Sequence, residues 1–140
     1  MTALQYPVFL SLEGQECLVV GGGAIATRKA KELCRCGARV TVIAPEIGDE
    51  MRRLRDEGQI VCHERTFEDA DIEGVFLVVA ATDDMSVNRR VYELALEKKA
   101  LVNVVDQPDL CQFTAPAVVR RGPLTIALST AGVSPALAAR

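Results

Sequence analysis

The chain has 140 residues, 49% of them hydrophobic and 25% charged, enough for one core that needs no disulfide or metal staple. A net charge of −3, 4% aromatic residues and no tryptophan argue against a base-stacking basic surface, so no nucleic-acid partner is expected. Every apolar run falls short of the roughly 18 residues a membrane span needs, so no membrane partner is expected either.

In chain order, MTALQYPVFL has no basic n-region and carries Pro7 inside its apolar part, which does not read as a secretory leader. PVFLSL, at 7–12, is expected as a short strand that joins the C-terminal region. ECLVV (16–20) reads as a buried strand. A helix follows over 24–36, with Ile25, Ala26, Ala30 and Leu33 at helical spacing and Gly37 as its stop. ARVTVIA (38–44) is the second strand, 47–57 an amphipathic helix ended by Gly58, and QIVCHE (59–64) the third strand. GVFLVVAAT (74–82) is nearly all apolar, as a central parallel strand covered on both faces must be. A helix over 84–99 carries Val87, Val91, Leu94 and Ala95 on one face, and ALVNVV (100–105) is the fifth strand. The alternation predicts a Rossmann-like, doubly wound α/β sheet over 1–112. After it come two strand-like runs, 115–120 and 124–129, around Arg121-Gly122-Pro123, read as a hairpin. Ser134 and Pro135 then suit the start of a helix, so 113–140 forms a second segment.

The five cysteines are Cys17, Cys34, Cys36, Cys62 and Cys111, an odd set that suits reduced thiols and a cytoplasmic location. Cys34 and Cys36 would point about 200° apart on a helix. With His63 as the single histidine, no metal site is expected.

Gly21-Gly22-Gly23-Ala24-Ile25-Ala26 fits G-x-G-x-x-A between a strand and a helix. Gly21 permits the turn, Gly23 lets backbone approach a pyrophosphate, and Ala26 permits close packing of helix on strand. The helix N-terminus would favour such an anion by about 0.3–2 kcal/mol. A tight turn without a ligand has the same appearance. The acidic partner expected at the end of the second strand comes late: the strand ends at Ala44-Pro45 and the first carboxylate is Glu46. Glu46, or the backbone at Pro45 and Glu46, would reach a ribose; otherwise Glu46 is only a first-turn acid. No arginine stands there to take a 2′-phosphate, which points to NAD over NADP. The fourth strand ends in Thr82, Asp83 and Asp84, the fifth in Asp106 and Gln107. Thr82 and Asp83 also suit as helix caps, and Asp106 as a turn former before Gln107-Pro108. Their coincidence at the carboxyl ends of parallel strands is what favours a ligand site. Arg28 and Lys29 near the start of the first helix, Arg89 and Arg90 later, and Arg120 and Arg121 by the hairpin turn supply positive charge.

Taken together, YPVFLSLEGQECLVVGGGAIATRKA, VTVIAPE, AATDDMSVNRRV, VNVVDQPDLCQF and PAVVRRGPLTIALSTAGVSPALA resemble the precorrin-2 dehydrogenase family, the NAD-binding module of siroheme synthases. The resemblance covers nearly the whole chain. It implies oxidation of precorrin-2 to sirohydrochlorin with NAD, and in some members insertion of ferrous iron. It implies that Gly21, Gly22, Gly23, Ala24, Ile25, Pro45 and Glu46 contact NAD, with Thr82 and Asp83 nearby. Asp106 matches the family's catalytic aspartate, and Ser129 a serine beside the tetrapyrrole pocket. The hairpin matches a homodimer interface, often formed by strand exchange. The substrate carries many carboxylates, which Arg28, Lys29 and Arg120 would steer. One departure is that family members commonly continue with a helical segment that helps enclose the substrate, whereas this sequence ends at Arg140. Either the chain is part of a longer one or the pocket is incomplete, and chelatase activity is the reading this weakens most.

The chemistry asks for a carboxylate that takes one proton as the macrocycle loses a hydride. An ordinary aspartate, with a pKa of about 3.9, is an inefficient base unless buried, and the apolar flank VNVV is expected to desolvate Asp106. Three readings stay open: a dehydrogenase, a dehydrogenase–chelatase in which Asp106 serves both reactions, and a non-catalytic nucleotide-sensing domain. The last needs the glycine loop but neither Asp106 nor the hairpin.

Overall fold

A computed structural model describes residues 4–130. They fall into two units, Ser11–Phe113 and, separately, residues 4–10 with 114–130. The expected helix start at Ser134 and Pro135 lies outside the described residues.

In the larger unit five strands and three helices alternate: β1 (Glu16–Val20), α1 (Ala24–Arg35), β2 (Arg39–Ile43), α2 (Asp49–Asp56), β3 (Ile60–His63), β4 (Leu77–Ala80), α3 (Met85–Lys98) and β5 (Leu101–Val104). All neighbouring strands are parallel, in the order β3-β2-β1-β4-β5. The chain thus winds outward from β1 to β3, returns, and winds the other way through β4 and β5. This is the doubly wound, Rossmann-like arrangement, with its switch point between β1 and β4, where ligands bind beyond the strand ends.

The composition of each element explains its place. All of Leu77–Ala80 is buried, as a central strand covered on both sides requires. Helix α1 turns Ala26, Thr27 and Ala30 inward, residues small enough for it to lie close on the sheet. One core forms on that side from Val19, Ala26, Val42, Met51 and Leu54. On the other side Leu18, Val20, Ile72, Val78, Val91 and Val102 form a second. Gly48 precedes α2, whose first turn carries Asp49 and Glu50, acids that complement the helix dipole.

The link from β3 to β4 contains only a 3-10 turn, Asp69–Ile72. Arg65 holds it, donating from Nη1 and Nη2 to the two carboxylate oxygens of Asp71 at 2.8 and 2.7 Å. The Asp71 carboxylate also accepts the Glu68 N–H at 2.8 Å. These bonds, the Arg65 pair above all, pull the Asp71 pKa below its ordinary value. The unfolded chain therefore binds the proton more tightly. The stabilisation is complete above the unfolded pKa of about 3.9 and is lost as pH falls through the lowered folded value. Thermal unfolding of the wild type should accordingly worsen more steeply than that of Asp71→Asn between about pH 5 and pH 3. Parallel curves would show that the pair is energetically idle.

In the smaller unit β6 (Ala117–Arg121) and β7 (Leu124–Leu128) pair antiparallel across a two-residue loop, Gly122-Pro123. Val118, Val119, Leu124, Ile126 and Leu128 are all exposed. The strand expected at 7–12 is not formed: the described residues up to Leu12 carry no strand. Leu12 packs against Cys17, Leu77 and Val79, but Tyr6, Val8, Phe9 and Leu10 are exposed, so little packing holds the stretch extended, and Pro7 lacks an N–H for a ladder. Among the described residues no helix is long and apolar enough to cross a membrane.

Candidate functional site

The polar tips of β1, β2 and β4 meet in one open cleft of about 740 Å³, lined by residues 21–26, 44–48 and 81–83. The three glycines at its floor differ in their surroundings. Gly21 has φ +138°, and a side chain there would overlap the Ala81 carbonyl at the end of β4. A side chain at Gly22 would overlap the Glu46 carbonyl and stand 3.0 Å from the Ala44 Cβ. Gly23, the N-cap of α1, faces open space. So Gly21 and Gly22 let three chain segments close on one another, and Gly23 keeps the cleft clear. Helix α1 has no side-chain cap and no acid in its first turn, leaving its first N–H groups open to an anion.

The β2 wall is a folded loop. Its tie is the Gly48 N–H, which donates to the Gly22 carbonyl at 3.3 Å. Ala44 and Ile47 point into the core, whereas Pro45 and Glu46 are exposed at the rim. The β4 wall depends on Thr82. Its N–H donates to Asn88 Oδ1 at 3.2 Å, its carbonyl accepts from Asn88 Nδ2 at 3.0 Å, and its hydroxyl lies 2.7 Å from the same Oδ1. The Asp84 N–H also donates to that hydroxyl, at 3.1 Å. The polar groups of Thr82 are therefore engaged within the chain, and Asp83 carries the exposed carboxylate of this wall. Of the two expected helix caps neither serves; Asp84 caps α3, accepting the Ser86 N–H at 2.9 Å. The Ser86 hydroxyl, which also donates to Asp84, lowers the Asp84 pKa most, followed by that N–H bond.

Asp106 stands beside the cleft, one strand beyond β4. The Val105 N–H donates to the Ala80 carbonyl at 3.0 Å, so Asp106 leaves the same sheet edge, two strands from the glycine turn and roughly 10 Å away at ordinary strand spacing. It has φ +62°, a left-handed conformation, in a turn closed by Gln107 N–H on the Val104 carbonyl at 3.1 Å. The loop beyond is tied back. The Cys111 thiol lies 3.1 Å from the Val104 carbonyl and 3.2 Å from that of Gln107, and Asn103 Nδ2 donates to the Phe113 carbonyl at 2.9 Å. Partial burial raises the Cys111 pKa, which suits a hydrogen-bond donor more than a nucleophile. The expected desolvation of Asp106 is not found: it is exposed, in a turn just past the end of β5, whose Val102 and Val104 enter the core.

Arg28 and Lys29 lie on α1, with Arg28 exposed and Lys29 half-buried. Arg120 lies on β6 and Ser129 directly after β7, both in the smaller unit. No cluster of three or more metal-ligating side chains occurs among the described residues. A smaller hollow of about 240 Å³, lined by Thr41, His63, Asp71 and Glu73 among others, marks where the β3–β4 link lacks a covering helix. Its turn glycine, Gly74, leads into β4 and not into a helix, so no helix N-terminus opens onto it. Reasoning from sequence overlooked Asn88, although a polar residue three before Val91 and seven before Ala95 falls on the apolar stripe of α3 and so signals a buried polar role.

A dinucleotide fits the cleft. The volume lies within the roughly 300–1,000 Å³ of small-molecule sites, Gly23 leaves backbone bare toward the opening, and an uncapped helix start faces it. A family model described as putative NAD(P)-binding matches residues 8–117. Siroheme synthase of Nitrosococcus oceani is 46% identical over 136 residues, 96% of this chain and 29% of the relative. Siroheme synthase of Thioalkalivibrio sulfidiphilus is 48% identical over 133 residues, 95% of this chain and 27% of the relative. The chain thus spans under a third of the length of these relatives. Among solved structures, SirC, a precorrin-2 dehydrogenase, superposes with a TM-score of 0.85 at 36% identity, covering 96% of this chain and 66% of SirC.

Proposed function

Because this chain belongs to the putative NAD(P)-binding family, we propose that it is an NAD-dependent dehydrogenase that oxidises precorrin-2 to sirohydrochlorin in siroheme biosynthesis. The observation that carries the reading is the pairing, on one sheet edge, of an open glycine-floored cleft with an exposed carboxylate, Asp106, borne on a hydrogen-bonded turn. The likeness to SirC and to the siroheme synthases supports the choice of substrate.

In this mechanism the backbone of Gly21, Gly22, Gly23, Ala24 and Ile25 holds the pyrophosphate, and Pro45 and Glu46 hold the adenosine ribose. Asp83, with the Thr82 backbone, walls the side toward the nicotinamide. Bound NAD supplies the two-electron acceptor. Asp106 takes the proton that leaves the macrocycle. Arg28, Lys29 and Arg120 attract substrate carboxylates, and Ser129 contacts the ring. The exposed apolar residues of the hairpin meet a second copy in a cytoplasmic homodimer, since a two-stranded ribbon is marginal alone.

Mixing the protein with NAD and precorrin-2 tests this: NADH absorbance and the sirohydrochlorin spectrum should rise together, in equal amounts. NAD binding without turnover would instead mark a nucleotide-sensing domain. Supplying sirohydrochlorin with ferrous iron or cobalt, and looking for the metallated product, tests chelatase activity separately.

A further inference from the structure

We propose that Asn88 is a positioning residue for nucleotide binding: from the buried face of α3 it sets the β4 wall of the cleft. The inference rests on reading the cleft as a nucleotide site. Strand β4 ends at Ala80, so the peptide groups of Thr82 lie beyond its last residue. Asn88 takes the place of a strand partner. Its amide accepts the Thr82 N–H at 3.2 Å and donates to the Thr82 carbonyl at 3.0 Å, and its Oδ1 lies 2.7 Å from the Thr82 hydroxyl. Asn88 is 3% exposed, and a buried amide persists only when its partners are in place. Helix α3 fixes its position, since the Asn88 N–H bonds the Asp84 carbonyl and Val91, on the same stripe, is fully buried. The helix is in turn anchored by its Asp84 cap. Thr82, which lines the cleft between Ala81 and Asp83, is therefore held by a side chain that does not line it. Without Asn88 the Thr82 peptide would turn toward water, and the wall would no longer present one fixed surface to a ligand.

A purely structural role would lower stability alone. The test therefore measures NAD affinity by titration calorimetry beside thermal unfolding, on wild type, Asn88→Ala, Asn88→Asp and Val91→Ala. Val91 packs in the core of the same helix and does not line the cleft, so its truncation costs stability without disturbing the wall. We expect Asn88→Ala to bind NAD roughly tenfold more weakly or worse, and Val91→Ala to stay within about twofold of wild type at a comparable loss of melting temperature. Asn88→Asp keeps the acceptor for both Thr82 donors but loses the donor to its carbonyl, and should fall between Asn88→Ala and wild type. If Asn88→Ala does not fold, Asn88→Asp carries the same comparison with Val91→Ala. Unchanged affinity in the Asn88 variants, or an equal loss in Val91→Ala, overturns the inference while leaving the nucleotide reading intact. A wild-type protein that takes up neither NAD nor NADP overturns that reading first, and this inference with it.

Discussion

Asp106→Asn is expected to lower turnover of precorrin-2 by about 10²–10⁴-fold, the usual contribution of a positioned base, while NAD affinity stays within about twofold. Asparagine is the informative substitution because of the backbone. Asp106 has φ +62°, which asparagine tolerates nearly as well as aspartate, whereas alanine would add about 1–2 kcal/mol of left-handed strain. The turn also sits in a loop tied by Cys111, Asn103 and Gln112, so strain at 106 would spread to neighbours and mix a folding defect into the kinetics. Asparagine keeps the shape and the turn and removes only proton-accepting capacity. Because the side chain is exposed and outside the cleft wall, nucleotide affinity should not follow turnover. Steady-state kinetics with NAD titration calorimetry checks both. Full turnover in Asp106→Asn would remove this carboxylate from the reaction, and a parallel loss of NAD affinity would make it part of the nucleotide site instead.

The parts of this picture legible in the sequence are those set by short-range pattern. The all-apolar Leu77–Ala80 run, the small inward residues of α1 and the glycine motif each depend on residues a few positions apart. Parallel order then follows from alternation of strands and helices. What stayed hidden depends on chain segments far apart in sequence. The late arrival of Glu46 reads as an imperfection in the fingerprint until residues 45–48 are found folded over Gly22. Asn88 looks like one more polar helix residue until its amide meets Thr82. The expected strand at 7–12 had the right apolar pattern, but pattern alone does not supply a partner strand. The apolar flank of Asp106 suggests burial, whereas the residue lies exposed in a left-handed turn just past β5.

The glycine turn offers the second large effect, and its stability cost should fall on one glycine and not the other. Gly22→Ala places a methyl group against the Glu46 carbonyl and 3.0 Å from the Ala44 Cβ. Its neighbours are backbone and a buried alanine, which have no side-chain end to swing aside. The 45–48 loop must move, breaking the Gly48-to-Gly22 hydrogen bond, at a cost of about 1–3 kcal/mol as in other overpacked sites. Gly23→Ala meets nothing within 4 Å and stands at φ −85°, a conformation alanine adopts freely. That variant should unfold near the wild-type temperature, since the roughly 0.4–1 kcal/mol gained by restricting the unfolded chain is offset by a cost of similar size for alanine at the N-cap of α1. Both should nevertheless bind NAD at least roughly tenfold more weakly: the first because the wall proposed to hold the ribose is displaced, the second because the added methyl occupies the space proposed for the pyrophosphate. Melting temperature and NAD titration on the two variants separate the roles. If Gly23→Ala bound NAD normally, the open face above Gly23 would not be where the phosphates lie. If Gly22→Ala kept its melting temperature, the 45–48 loop would be free to yield, and the middle glycine would owe its presence to something other than that contact.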